Sequence, residues 1–478
     1  MGFMEKYGLK HSDNKRTRAS ELTLRQSLFP LALVTTLFFL WGFSYGLLDT
    51  LNKHFQNSLN ITKARSSGLQ AAYFGAYPLA SLGHANWILR HYGYKLVFVW
   101  GLFLYAVGAL VAWPCILYKT FGGFCAAIFI IGNGLGALET AANPYITVCG
   151  PPRYSEVRIN ISQAFNGIGT VVAPVLGSYV IFIDVGDSDK ALRNVQWIYL
   201  AIACFCFLLA GAFVMTPIPE ITDADMAFQA EETHANTDVK PFRKQYRLFH
   251  AAFAQFCYVG AQVAIAGYFI NYVDEALQYN GNEDALAARF LAGAQGAFAL
   301  GRFVGVFFMQ WIRPRWVFLF FLTNCMIFIA PAITQRGFTG MSMLYVTLFF
   351  ESICFPTIVA LGMRGLGKHS KRGSGWIVAG VCGGAVVPPL LGVAADARST
   401  PFAMVVPLCF FIAAFTYALA VNFVPAYRTV ADKFSTTKIG VENVSGTGKD
   451  EESGSPSGGE ESEKVGAETR EVHMDKSL

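Results

Sequence analysis

Leu138-Glu139-Thr140-Ala141-Ala142-Asn143-Pro144 sits inside a run, 121–149, in which Glu139 is the one charged residue. A helix over that run is about 44 Å long at 1.5 Å per residue, more than the roughly 30 Å of hydrocarbon in a bilayer. Glu139 then falls at membrane depth, where a carboxylate costs about 2.5–3.5 kcal/mol on insertion scales. The pattern returns 212 residues later: Glu139-x4-Pro144-x5-Gly150 is matched by Glu351-x4-Pro356-x5-Gly362. Val171-Val172-Ala173-Pro174-Val175-Leu176-Gly177 is matched in turn by Val386-Val387-Pro388-Pro389-Leu390-Leu391-Gly392. Two copies in the same order point to two halves of similar build. Six crossings in each would keep both halves in the same orientation.

Composition agrees. The 478 residues are 54% hydrophobic, include 42 Phe and are only 14% charged, with a mean hydropathy of +0.40. A water-soluble fold could not cover that much apolar surface, so the solvent is lipid. Twelve apolar segments follow one another, near 27–52, 66–90, 95–117, 121–149, 159–183, 195–217, 249–273, 287–311, 316–333, 341–363, 375–395 and 402–424. They are too long and too unalternating for barrel strands. The expected fold is an all-α membrane protein with twelve transmembrane helices in two six-helix pseudo-repeats. The expected organisation is a cytoplasmic head (1–26), a first half (27–217), a cytoplasmic linker (218–246), a second half (247–425) and a disordered acidic tail (426–478).

Of 37 Lys and Arg, 23 fall on the side that holds the N-terminus and nine on the other. That bias places both termini in the cytoplasm and explains the net charge of +5 without nucleic acid. No cleavable signal segment is expected at the N-terminus. The ten cysteines lie in or beside apolar runs and form no CxxC or Cys/His cluster, so buried thiols are expected rather than a metal site. Neither a Ser/His/Asp set nor a phosphate-cradling glycine loop suggests an enzyme. Sequons at Asn60, Asn160 and Asn443 offer at most a doubtful site at Asn60, on the outer side.

Ionisable and amide groups inside the crossings carry the chemistry. A buried carboxyl such as Glu139 that gains and loses its proton as water access changes is a proton carrier, although an interhelical hydrogen bond is the plainer alternative. Asp49 follows the first apolar run and could be an ordinary helix-end charge, but Leu51 and Phe55 continue a helical apolar spacing beyond it. Glu351, the repeat mate of Glu139, is a second candidate ionisable site or, the favoured reading, the partner of Arg302 in a structural ion pair. Trp41 lies deep in the first crossing, whereas Trp87, Trp113, Trp197, Trp311 and Trp316 fall near segment ends where interfacial belts form. Gln163 and Asn166, spaced i, i+3, share a face of the fifth crossing, and Gln262 lies inside the seventh. Amide forks and an aromatic plate are what a sugar's hydroxyls and ring face require. His84 is expected to serve packing. The prolines at 144, 174, 356, 388 and 389 should kink their helices.

Phe38-Phe39-Leu40-Trp41-Gly42 with Asp49, Leu138-Glu139-Thr140-Ala141-Ala142-Asn143-Pro144, Gln163-Ala164-Phe165-Asn166, 254–262 (AQFCYVGAQ) and Gly301-Arg302-Phe303 resemble the fucose–proton symporter family of the major facilitator superfamily, from about 31 to 424. The resemblance implies that the helix 1 aspartate and helix 4 glutamate, here Asp49 and Glu139, serve proton coupling and sugar binding. Two departures stand out. The family's bacterial fucose carriers have asparagines just before that aspartate, where this chain has Gly46 and Leu48. The superfamily's Asp-Arg-x-Gly-Arg loop is reduced to Arg90, Gly93 and Lys95. The expected function is proton-coupled symport of fucose or a related hexose by alternating access, with Asp49 and Glu139 as coupling groups. Trp41, Asn143, Gln163, Asn166 and Gln262 are the expected sugar contacts. No cofactor is expected beyond the proton as coupling ion. The expected setting is a monomer in the plasma membrane. The rivals are a non-transporting sugar sensor and a transporter of the same fold for another small solute.

Overall fold

The computed structural model describes residues 22–59, 61–176, 179, 188–222, 224–225, 241–277 and 284–436. Most of the expected head, linker residues 226–240, the tail from 437 onward, Asn60 and Asn443 lie outside the described residues. Among the described residues, twelve crossings, α1–α12, follow in order. They are α1 (Leu24–Leu59), α2 (from Lys63 to His91), α3 (Tyr94–Leu117), α4 (Phe121–Val148), α5 (Ser155–Leu176) and α6 (Ser188–Met215). The second six are α7 (Tyr246–Gly267, continued by Phe269–Leu277), α8 (Asp284–Met309), α9 (Pro314–Thr334), α10 (Gly337–Met363), α11 (Ser370–Ala397) and α12 (Thr400–Phe423). Eleven of these, among the described residues, are long and apolar enough to span a bilayer as single stretches. The other is α2, split into Lys63–Ser66, Gly68–Gly75, Leu79–His84 and Ala85–His91. Its break has a cause: Pro78 withholds a backbone N–H, and a π turn with a non-helical Gly83 follows.

Small residues set the helix spacings. A Cβ on Gly46 of α1 would sit 2.9 Å from the Thr170 carbonyl of α5, and one on Gly260 of α7 would sit 2.9 Å from the Gly383 carbonyl of α11. The pairs α1/α5 and α7/α11 are repeat mates, and both close through glycine. An asparagine at 46 would not fit this α1/α5 spacing, which accounts physically for one departure from the fucose carriers.

Three expectations change. The first crossing ends at Leu59 rather than near 52, so α1 has 36 residues and Asp49 lies well within it. The expected disordered tail begins with a helix, α13 (Pro425–Thr436). Asp432 of α13 takes Arg313 and Arg315 at 2.8 and 3.0 Å, and Tyr427 meets His250 at 3.1 Å. Cys204 and Cys409 are exposed rather than buried.

Candidate functional site

A narrow cavity of about 50 Å³ lies where the two sets of six crossings meet, well below the roughly 300–1,000 Å³ of small-molecule sites, as in a bundle closed at both ends. Trp41 and Tyr45 come from α1, Phe74 and Tyr77 from α2, and Gln163 and Asn166 from α5. The opposite wall is Gln262 with two valines of α7, Arg302 of α8, Phe355 of α10 and Val381 of α11. Trp41 is fixed from two sides: its Nε1 donates to Tyr77 Oη at 2.9 Å, and Phe355 meets its ring edge-on at 6.1 Å. Such a site offers broad apolar plates with a few placed polar groups. Trp41, Gln163, Asn166 and Gln262, separated in sequence, are brought together here.

Arg302 does not pair with Glu351. Its Nε donates to the Ser352 carbonyl at 3.0 Å, and its Nη1 reaches Gln163 Oε1 at 2.8 Å, Asn166 Oδ1 at 3.0 Å and the Gln163 carbonyl. Helix α10 breaks just after Glu351, at 352–353, and so presents the Ser352 carbonyl to the guanidinium. Glu351 is buried, and its Oε1 has no hydrogen-bond partner among the described residues.

The two coupling candidates lie outside this cavity, on different levels. Glu139 is 1% exposed and receives Asn143 Nδ2 on Oε1 at 3.2 Å, an i, i+4 pair along α4. It borders a smaller cavity of about 10 Å³, room for about one water, walled by Leu37, Phe38, Leu135, Leu138, Ala142 and Trp41. Trp41 thus lines both the central cavity and the pocket that holds Glu139. Asp49 is also 1% exposed, with Tyr45 and Gln70 beside it, and a Cβ on Gly267 of α7 would lie 3.5 Å from its Oδ1. Neither carboxylate oxygen of Asp49 has a hydrogen bond of good geometry among the described residues.

Residues 34–389 match the Major Facilitator Superfamily. The L-fucose-proton symporter of Escherichia coli (strain K12) is 31% identical over 82% of this chain and 93% of its own length. The glucose/galactose transporter of Brucella abortus is 33% identical over 81% of this chain and 93% of its own. This chain belongs to the Major Facilitator Superfamily, among the relatives of the fucose–proton symporters. The crystal structure of FucP, a superfamily transporter in the outward conformation, superposes with a TM-score of 0.66 at 31% identity, covering 82% of this chain and 98% of that one. A xylose–proton symporter, XylE, superposes at 0.62 with 13% identity, which bears on the fold alone.

In this major facilitator the halves are bonded to each other at both ends of the bundle. At the α1/α2 end, Asn52 donates to the Gly267 carbonyl and Asn271 to Gln56 Oε1, both at 2.9 Å. Lys63 forms an ion pair with Glu275, which also accepts from the Thr400 N–H and hydroxyl at 2.7 and 2.6 Å. The α7 partners 267, 271 and 275 are spaced by four and line one helical face. Burial pushes the Glu275 carboxyl up, but Lys63 and Thr400 outweigh it and hold the group below the ordinary glutamate range. Asp396 of α11 accepts from Ala64 N–H of α2 at 3.0 Å. At the α4/α5 end, Glu156 pairs with Arg364, Asn86 donates to the Lys371 carbonyl at 3.1 Å, and Ser374 donates to the Thr140 carbonyl at 2.9 Å.

Several contributors escaped the sequence. Tyr45 lies four residues after Trp41, so helical spacing already put it on the same face. Phe74 and Tyr77 are indistinguishable in sequence from packing aromatics. His84 has partners after all, Trp100 Nε1 at 3.0 Å and Asn133 at 3.4 Å. The reduced α2/α3 loop is held by Glu220, which accepts from Tyr94 N–H at 2.6 Å beside Gly93 at φ +100°.

Proposed function

We propose that this chain is a secondary active transporter, not an enzyme, that moves a monosaccharide together with a proton by alternating access. The observation that carries the proposal is the shared wall: Trp41 belongs both to the central cavity and to the pocket of Glu139. Sugar against one face of the indole and a proton on the carboxyl behind the other can then sense each other. Trp41 supplies the ring contact, Gln163, Asn166 and Gln262 the hydroxyl contacts, and Asn143 holds Glu139 in place. Asp49, on the α1 face that continues into Asn52 and Gln56, is the second coupling group, answering to closure of the α1/α2 end.

The halves 27–217 and 247–425 rock against each other, with bonds at one end broken and those at the other kept. Both termini face the cytoplasm of a plasma-membrane protein, in line with the Lys and Arg bias, and the monomer suffices. No cofactor is needed beyond the proton as coupling ion. Fucose and related hexoses are the candidate substrates, since similar chains are a fucose–proton symporter and a glucose/galactose transporter. Each proton entering supplies about 2.3 kcal/mol per 100 mV of membrane potential.

The test is uptake of labelled hexoses by proteoliposomes under an imposed pH gradient. Accumulation above the outside concentration, abolished by a protonophore, is the expected result. Binding of sugar with no movement of label would favour the sensor instead.

A further inference from the structure

Among the described residues, Arg302 is the charged side chain that lines the central cavity, and it makes no ion pair with a carboxylate. Its guanidinium lies 4.6 Å from the Phe298 ring centroid, and its hydrogen-bond acceptors are all amide or peptide oxygens. They come from both sides of the interface. Ser352 belongs to α10 of the second half, like Arg302 itself, whereas Gln163 and Asn166 belong to α5 of the first. The side chain is 2% exposed, so these bonds are made where water competes little. Arg302 thus ties α8 to α5 through the side-chain oxygens of the two amides that line the cavity.

Those oxygens are also the acceptors that a sugar hydroxyl would take. An amide oxygen engaged by a charged donor is poorly available to a neutral one, because charge-assisted bonds are roughly twice as strong. With Oε1 and Oδ1 each accepting from Arg302, one lone pair on each oxygen is taken, and Gln163 Nε2 is buried with no hydrogen-bond partner among the described residues. The tie and a sugar hydroxyl therefore compete at the same atoms.

We propose that Arg302 is a positioning residue that stands in for the sugar. In the unloaded carrier its guanidinium satisfies the buried amide oxygens and draws α5 to α8, so the halves can close around a cavity without substrate. A hydroxylated ligand takes over those acceptors in the loaded carrier. This rests on the transport function proposed above and adds a step to it, the return of the empty carrier. Net uptake needs that return, while sugar–sugar exchange cycles only through loaded states.

The experiment compares Arg302→Gln with wild type in proteoliposomes, using L-fucose, D-glucose and D-galactose as probes. The readout is the ratio of proton-driven net uptake to exchange of the transported sugar. The ratio is expected to fall at least tenfold. Arg302→Lys, which keeps the charge but lacks the planar fork, should fall in between and serves if the glutamine variant does not insert. Net uptake and exchange falling in parallel would overturn the proposal, since that is the signature of a plain sugar contact. A second measurement needs no transport. Gly167 of α5 faces Ala299 of α8, with an ideal Cβ at 167 lying 3.1 Å from that of 299. The Gly167→Cys/Ala299→Cys pair should cross-link readily, with each single variant as control for the native thiols, and adding Arg302→Gln should lower the yield at least threefold. An unchanged yield would overturn the tie even if wild type moves none of the sugars, an outcome that would separately refute the transport function.

Discussion

Glu139 and Glu351 hold matching places in two copies of one motif, yet their surroundings have diverged. Four residues after Glu139 comes Asn143, which donates to its carboxylate; four residues after Glu351 comes Phe355, which turns its ring into the cavity against Trp41. Helix α4 runs unbroken through Pro144, whereas α10 breaks between Glu351 and Cys354 and spends its freed carbonyls on other side chains: Ser352 O on Arg302 and Glu351 O on the Tyr258 hydroxyl. A shared backbone plan has been given two uses. The first half holds Asp49, Glu139 and the amide pair Gln163 and Asn166, and the second lines the cavity with Gln262, an apolar wall and one cation.

The strongest challenge to that division is a matched pair of substitutions. Glu139→Gln should cut proton-driven sugar accumulation at least tenfold, because a permanently neutral amide cannot carry a proton. Glu351→Gln should leave accumulation within about twofold of wild type. Equal losses in both, at matched insertion, would mean that the copies still share one role.

The next contrast is between the two faces of the cavity. Trp41→Ala removes a plate that belongs to both pockets and should raise the half-saturation concentration about tenfold. Phe355→Ala removes only its edge-on neighbour and should raise it about threefold, since such ring pairs contribute roughly 0.5–1.5 kcal/mol. Initial-rate kinetics would rank the two, and the reverse order would shift the sugar platform to the second half. Asp49→Asn keeps shape and hydrogen-bonding capacity but fixes the charge at zero. Uptake between pH 5 and 8 should lose most of its pH dependence, and a wild-type profile would reduce Asp49 to a packing role.

The smallest expected effect is at the α1/α2 end. The Glu275 carboxyl is held below its ordinary range, so its pairing with Lys63 contributes above that range and is lost as pH falls through the lowered value. Both side chains are about a quarter exposed, so Glu275→Gln should lower the thermal midpoint at pH 7 by at most about 2 °C. The difference from wild type should vanish in strong acid.

The apolar runs made the crossings legible, and the Glu-x4-Pro-x5-Gly repeat made their pairing legible, because lipid forces every span to be a helix and glycine contacts mark where helices touch. Trp41, Gln163, Asn166 and Gln262 line one cavity, whereas Asn143, expected among the sugar contacts, gives its amide to Glu139 one turn away instead. The end of α1 was not legible, because the turn carrying Asn52 and Gln56 is polar: those side chains bond α7 and α2 rather than facing solvent. Arg302 was misassigned because charge alone favours a carboxylate partner, whereas the break in α10 and the approach of α5 offer it carbonyls instead. The helix 425–436 was hidden for a similar reason, since Asp432 reads as solvated until Arg313 and Arg315 are seen against it.

Sugar-evoked proton entry tests the account most directly. Proteoliposomes carrying the wild-type chain and an internal pH indicator, with no imposed gradient, would receive L-fucose, D-glucose or D-galactose outside. At least one of these sugars is predicted to acidify the lumen as its label enters, and Glu139→Gln should abolish the acidification. Label entering with no change in internal pH, or acidification that survives in Glu139→Gln, would contradict the account.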